Sequence, residues 1–358
     1  MPRNDPLELV RETLAGRPAW LVGGALRDRA LGRPTADLDI VIDGDCREAA
    51  GMLARAAGKA TSFALSEEFG AWRVVARDGS WQIDVESLRG GSLEADLALR
   101  DFTVNAVAEP LEGGVPIDPL NGLGDLAAGR LRMAGPRAFV DDPLRVLRMV
   151  RIAVELELEP EPETKLCARE QVPGLLTVSP ERVFIELRRT LDAPSALRGL
   201  GLLDEVGATA TVLPELEATR DVQQSHFHHL DVHGHTLAVL ERTIALQADP
   251  ASLLGDRQGE AVAALLAEPL ADGLTRGGAM RWGALLHDAA KPLTRAVRAG
   301  DGRVTFIGHD AQGAELAREL GIAPGPRLGE ILEELSRARY AGEIDTRAQA
   351  LEHARALK

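Results

Sequence analysis

Cysteine is almost absent from this sequence. Cys46 and Cys167 lie far apart and in no Cys-x-x-Cys spacing, which argues against both a disulfide framework and a thiolate zinc site. Long apolar runs are missing as well. No stretch approaches the roughly 18 residues of a membrane-spanning helix, and acids occupy the first 25 residues, where a secretory leader needs an apolar core. The expectation is a cytoplasmic protein with no membrane partner. Lysine is rare, with only Lys59, Lys165, Lys291 and Lys358, but a coding bias produces the same pattern, so this scarcity carries no functional conclusion.

Charge is plentiful, and its distribution matters. The formal net charge of −14 counts against a nucleic-acid partner only if it is evenly spread. It is not: Arg130, Arg132, Arg137, Arg145, Arg148 and Arg151 gather mid-chain against Asp141 and Asp142, and Arg182, Arg188 and Arg189 follow in "ERVFIELRRTL". With 358 residues, 45% hydrophobic and 27% charged, the chain is long enough for two or three globular units. The first part alternates. It predicts helices over 6–15, 25–31 and 46–57, strands over 19–22 and 38–42, and strands "WRVVAR" and "WQIDVES" joined by an Asp78-Gly79 turn. That is a small mixed α/β domain. From Asp125 onward strand signals nearly vanish, and "DPLRVLRMVRIAVEL", "PERVFIELRRTL" and "LAVLERTIAL" repeat apolar residues at helical spacing, with short helices and loops over 249–278.

The stretch "GGALRDRALGRPTADLDIVIDG", residues 23–44, poses a chemical question. On a strand, Asp37 and Asp39 point to one side while Leu38 and Ile40 point into a core. Two like charges that close repel unless a divalent cation lies between them, and Mg²⁺ takes oxygen ligands at about 2.0 to 2.1 Å. Asp84, which interrupts the apolar strand "WQIDVES", supplies a third carboxylate if its strand is a neighbour. Three such acids form the framework of a two-metal site, with ions roughly 3.5 to 4 Å apart. Gly23 and Gly24 at a strand-to-helix turn leave backbone N–H groups open to a triphosphate, with Arg27 one helical turn on. An Asp-x-Asp strand alone fits a solvated sheet face equally well.

Taken together, "LVGGALRDRALGRPTADLDIV", "LRDFTVNAVA" and "DDPLRVLRMVRIA" resemble the class II tRNA nucleotidyltransferase and bacterial poly(A) polymerase family, over about residues 18–216. The resemblance implies an α+β nucleotidyltransferase head over 1–122. It also implies an all-α neck and body over 123–220, which selects the nucleotide and binds tRNA, and an HD-type helical domain over 221–358. It places the two Mg²⁺ ions on Asp37, Asp39 and Asp84, and the phosphate-binding turn on Gly23, Gly24 and Arg27. The ribose-recognition stretch falls on "RDFTVNA", with Arg100, Asp101 and Asn105, and Arg148 follows the base-reading pair. One departure is Leu99, where the family carries a first arginine before Arg100.

Asp142 and Arg145 stand at i, i+3 beside Pro143, a pattern that by itself fits an ordinary helix cap and salt bridge. In the family this pair selects CTP and ATP: a carboxylate takes the exocyclic amine and a guanidinium donates to adjacent ring atoms, much as side chains read base edges. Further on, "HFHHLDVHGHTLAVLERT", "WGALLHDAAKP" and "FIGHDAQGAELA" resemble an HD-domain metal site. Its expected ligands are His235, His287 and Asp288, with Asp310 or His309 as a fourth; His226, His228, His229 and His233 crowd the same stretch. This predicts a divalent metal there, or an HD fold that has lost its activity.

The family contains several activities, and one discriminator is readable. Full CCA enzymes and A-adding enzymes carry a long flexible loop before the Arg-Asp-Phe-Thr motif, and its loss accompanies addition of cytidines only. Here ten residues, 90–99, separate Arg89 from Arg100. The expectation is a CC-adding enzyme using CTP and the tRNA acceptor arm. The alternatives are complete CCA or A addition with ATP, poly(A) polymerase activity, and an HD phosphohydrolase acting on RNA ends or nucleotides.

Overall fold

The computed structural model describes residues 5–35, 37–58, 60–66, 70–224, 229–271, 273–298 and 303–312. His226 and His228 lie outside them. The chain divides into two compact units, Met1–Val178 and Ser179–Lys358.

The first unit is built on a six-stranded mixed sheet. Its elements run α1 (Pro6–Thr13), β1 (Ala19–Val22), α2 (Gly24–Ala30), β2 (Asp37–Ile42), α3 (Cys46–Ala57), β3 (Ala60–Ser66), β4 (Ala71–Ala76), β5 (Gln82–Ser87), α4 (Leu93–Ala98) and β6 (Ala108–Pro110). The spatial order is β3-β4-β5-β2-β1-β6. Only β2 and β5 pair in parallel; the other neighbours are antiparallel. Local chemistry sets the helix ends. Asp5 accepts from the Leu7 N–H with Pro6 at the first turn, and Asp45 accepts from Glu48 before α3, which stops at Gly58 in the left-handed region.

One face of the sheet is the core. Leu38, Ile40 and Ile42 of β2 pack with Leu21, Ile83 and Val85 against Leu9 and Val10 of α1 and Leu53 of α3. The alternate residues face the other way. There Val41 and Val22 are covered by Leu93 and Leu97 of α4, while the Asp37 end of β2 stays exposed. Strands β3 and β6 were not legible: "ATSFALS" is rich in small residues that favour strands weakly, and β6 has three residues.

The rest of the first unit is mainly helical: α5 (Gly122–Ala127), β7 (Arg130–Leu131), α6 (Ala138–Asp141), α7 (Arg145–Glu155), β8 (Glu159–Pro160) and α8 (Pro162–Gln171). The two-residue strands β7 and β8 pair in parallel, an exception to the expected strand-free remainder. The second unit comprises α9 (Pro180–Asp192), α10 (Ala196–Val206), α11 (Thr209–Val212), α12 (Pro214–Glu217), α13 (Val232–Ala248), α14 (Pro250–Leu254), α15 (Asp256–Leu266), α16 (Arg276–Leu286) and α17 (Lys291–Thr294). It closes on the short hairpin β9 (Arg295–Val297) and β10 (Val304–Phe306). Arg281 anchors α16 by donating to the carbonyls of Leu191 and Ala193 at the end of α9, and Trp282 stacks on Phe184. Among the described residues no helix is long and apolar enough to cross a membrane.

Candidate active site

The sheet register brings the three acids to one face. Asp39 pairs with Asp84 across β2 and β5, and Asp37 precedes Asp39 by two residues on the same side. Density of protein around the half-buried Asp39 raises its carboxyl to about 6; Arg100 pulls it down, and Glu86 and Asp84 add to the rise. Gly23, at φ 73°, makes the turn from β1 into α2 directly beside it. A Cβ at Gly23 would stand 3.0 Å from Asp39 Oδ2 and 3.3 Å from Arg100 Nη1, so backbone and carboxylate share a space that no side chain can enter. A Cβ at Gly24 would stand 3.3 Å from Arg27 Nη2.

Asp84 is not directed at the other two acids. Both of its oxygens accept from Arg73, at 2.7 Å from Nε and 2.7 Å from Nη2. Arg73 is a site residue that motif reasoning missed. Its signal was the Asp78-Gly79 hairpin: counting back from Ala76 opposite Trp81 sets Arg73 opposite Asp84.

A second network links Arg27, after the Gly23–Gly24 turn, to the helical part. Arg27 Nη1 donates to Asn105 Oδ1 at 2.6 Å, Asn105 Nδ2 donates to Asp101 Oδ1 at 3.0 Å, and Arg148 grips Asp101 Oδ2 at 3.0 and 2.6 Å. Arg148, helped by bonds from Asn105 and the Phe102 N–H, holds the buried Asp101 carboxyl well below the usual range although burial opposes it. Arg27 also pairs with Asp28.

Asp142 and Arg145 are arranged differently from the expected helix cap. Helix α7 begins only at Arg145, and Asp142 Oδ1 accepts from the Leu144 N–H in the preceding turn. The Arg145 guanidinium donates to the carbonyls of Leu99, Arg100 and Ala138, all at 3.1 to 3.2 Å. Burial lowers its pKa, opposed by Asp101 and Asp142. Only residues 88–92 separate β5 from α4. That connection is pinned: the Arg89 N–H and Nε donate to the fully buried Asp96, whose other oxygen accepts from Arg100, and Ser92 caps α4. Asp96 was also missed, though its i, i+4 spacing to Arg100 was visible.

In the second unit, Asp288 gathers the expected histidines. His287 Nε2 lies 3.1 Å from Asp288 Oδ2, His235 Nε2 lies 3.7 Å from the same oxygen, and His309 Nε2 lies 3.6 Å from Oδ1. The buried Lys291 Nζ stands 2.8 Å from Asp288 Oδ2. Burial raises the Asp288 carboxyl, but His287 and Lys291 outweigh it and hold it at about 2. Burial depresses His287, and Asp288 outweighs that to leave it raised. His235, His287 and Asp288 each offer a ligand atom within 4.8 Å of the others. Asp310 directly follows His309 in the same helical stretch and is not among these three.

Both donor sets have the chemistry of a divalent-cation site, but among the described residues only His235, His287 and Asp288 converge as a group of three, while Asp84 stays with Arg73 and does not join Asp37 and Asp39. In the head the donors are hard carboxylate oxygens, with Asp39 raised in a way that a cation would relieve. In the second unit two imidazoles and a carboxylate form a borderline set.

Residues 19–132 match the family described as "Poly A polymerase head domain", residues 157–219 match "Probable RNA and SrmB- binding site of polymerase A", and residues 232–357 match "HD domain". An A-adding tRNA nucleotidyltransferase of Deinococcus radiodurans is 36% identical over 307 residues; these cover 84% of this chain but only 63% of that relative. A CC-adding tRNA nucleotidyltransferase of Geobacter sulfurreducens is 30% identical over 417 residues, covering 97% of this chain and 94% of the relative. A Multifunctional CCA protein of Pseudomonas aeruginosa is 34% identical over 350 residues, covering 93% and 76%. The fold matches that of a tRNA-processing enzyme solved with CTP, at TM-score 0.62 and 22% identity over 99% of this chain and 88% of that one. It also matches a Thermotoga maritima CCA-adding enzyme complexed with tRNA, at TM-score 0.54 and 22% identity over 99% and 97%. Head, RNA-binding segment and HD domain, in that order, with the Geobacter sulfurreducens relative matched almost end to end, show that the chain belongs to the CCA-adding tRNA nucleotidyltransferase family.

Proposed function

We infer that this protein adds CMP from CTP to the 3′ end of tRNA, as the CC-adding member of its family. The observation that carries this reading is the short, pinned connection over residues 88–92. Its Arg89 and the following Arg100 both hang on Asp96, and the carbonyls of Leu99 and Arg100 in turn hold Arg145. A base-reading arginine tied to backbone at three points keeps one orientation, and one orientation suits one base. A longer connection would give α4 and Arg145 freedom to re-aim for adenine.

The residues take the following roles. Asp37, Asp39 and Asp84 would hold the Mg²⁺ ions. Bound there, such ions acidify the attacking 3′-hydroxyl and stabilise the leaving pyrophosphate. The turn at Gly23 and Gly24, at the start of α2, presents backbone N–H groups to the triphosphate, with Arg27 held in place by Asn105. Arg100 sits between Asp96 and the Asp39 carboxylate, where it counters charge on the sugar side of the nucleotide. Asp101, fixed as an anion by Arg148, orders the ribose-binding segment. Asp142 accepts from the cytosine amine beside Arg145. The helical part beyond residue 145 carries the acceptor arm through phosphate contacts that weaken with salt.

The test supplies labelled CTP or ATP separately to tRNA transcripts ending before CCA, after C and after CC. Label from CTP on the first two and none from ATP on the third is the expected result. Incorporation of ATP on the transcript ending in CC refutes the specificity and leaves a CCA- or A-adding enzyme. A second reading rests on the convergence of His235, His287 and Asp288: a divalent-metal phosphohydrolase acting on RNA ends. If that is the main activity, Asp37→Ala spares turnover and His287→Ala abolishes it.

A further inference from the structure

One row of side chains crosses the open face of the head sheet: Asp39, Asp84, Arg73 and Phe63 are register partners on β2, β5, β4 and β3. The row alternates function. The inner acid, Asp39, sits against the nucleotide turn, whereas the outer acid is closed by a planar two-bond fork from Arg73. The fork sets the Arg73 charge directly against the Asp84 carboxylate. A guanidinium does not lose its proton in a protein, so it can leave Asp84 only by displacement. Displacement is feasible because the pair is not sealed: the Arg73 side chain is 30% exposed and Asp84 16%.

Resting on the reading of Asp37, Asp39 and Asp84 as metal ligands, we propose that Arg73 is a resident counter-cation for Asp84. It keeps that carboxylate out of coordination in the free protein, so that one ion binds through Asp37 and Asp39 and Asp84 joins only by exchange with Arg73. Arg73 is thus a positioning residue, acting on the metal site through Asp84. The charge it contributes is the one a second divalent ion would replace.

The experiment is a Mn²⁺ titration of the full chain, read by electron paramagnetic resonance as free and bound ion. The chains compared are the wild type, Asp39→Asn, Asp84→Asn, Arg73→Met and the Arg73→Met/Asp84→Asn double variant. The ion lost in Asp39→Asn identifies the head site and separates it from any ion in the HD-type domain. If Asp39→Asn loses no ion, the acids are not metal ligands and the proposal falls with that reading. With that ion present, Asp84→Asn alone is expected to change its affinity less than about twofold. Arg73→Met is expected to tighten it about tenfold, the scale on which outer partners tune metal sites. In the double variant the gain falls below about threefold, since it works through Asp84. Weaker or unchanged binding in Arg73→Met, an undiminished gain in the double variant, or an Asp84→Asn loss as large as that of Asp39→Asn overturns the proposal. Should Arg73→Met not fold, Arg73→Lys keeps the charge without the fork. It is then expected to tighten binding about threefold, and unchanged binding overturns the proposal.

Discussion

Replacing Arg148 by alanine isolates a buried charge of the head. Asp101 is 6% exposed and accepts four hydrogen bonds: from the Phe102 N–H at 2.8 Å, from Asn105 Nδ2 at 3.0 Å, and from Arg148 at 3.0 and 2.6 Å. Arg148→Ala leaves an anion with two neutral donors and, as counter-charge, only the Coulomb attraction of Arg145. Removing one partner of a buried pair costs roughly 3 to 5 kcal/mol. Because Arg148 is 35% exposed and two donors remain, the expected loss lies at the low end, about 3 kcal/mol. For a unit of this size that corresponds to roughly 6 to 12 °C in Tm.

Urea unfolding followed by tryptophan fluorescence reports on the right part of the chain, since Trp20, Trp72 and Trp81 lie in the head and only Trp282 in the second unit. The pH dependence adds a sign. In the wild type the folded pKa of Asp101 lies below its ordinary 3.8, so the pair's contribution is present above about pH 4 and lost as pH falls further. Without Arg148, burial dominates and the folded pKa moves above 3.8. Protonation of Asp101 then relieves the variant, and its deficit shrinks between pH 7 and pH 4. A deficit under about 1 kcal/mol at pH 7, or one that does not change over that window, refutes the reasoning.

Two further outcomes are expected. Gly23→Ala forces a left-handed backbone on alanine, about 1 to 2 kcal/mol, and sets its Cβ 3.0 Å from Asp39 Oδ2. CMP incorporation should fall about 100-fold with a smaller change in Tm, and an activity within twofold of wild type contradicts the close approach. In the second unit, the raised His287 contributes stability that is full below pH 6.5 and fades as pH rises through its folded value; the lowered Asp288 contributes above pH 3.8 and fades toward pH 2. His287→Ala should therefore destabilise more at pH 5.5 than at pH 8.5, measured by Trp282 fluorescence; an equal loss at both denies the ion pair.

The acids were legible because strand periodicity is a local property. Alternation alone puts Asp37 and Asp39 on the face opposite Leu38 and Ile40, and the buried apolar set of β2 follows it. The partner of each acid was less legible, because pairing is a property of two strands. That Asp84 sits beside Asp39 needed the parallel β2–β5 neighbourhood, which no local pattern specifies. Arg73 lay within reach of turn counting and was overlooked because its strand looked purely structural. Arg145 shows the opposite case. Its i, i+3 relation to Asp142 was readable, but a guanidinium is long enough to find the Ala138 carbonyl and two more, of Leu99 and Arg100, far along the chain.

The carbonyls of Leu99 and Arg100 connect the short loop after β5 to Arg145, which the proposed function makes the reader of the base. Leu99 and Arg100 end α4, whose start is capped by Ser92 and whose Asp96 is fully buried and doubly bonded to arginine. A helix of six residues has little stability of its own, so its position depends on those few bonds. Lengthening the connection over residues 88–92 would leave the Asp96 bonds possible but no longer enforced by chain length. Releasing Asp96 would free α4, and with it the two carbonyls that orient Arg145. Under the proposed function, specificity for one base follows from how few conformations the preceding loop allows. Asp96→Asn should therefore loosen discrimination between CTP and ATP while leaving the Asp37 and Asp39 carboxylates in place. Discrimination equal to that of the wild type would detach the loop from the choice of base.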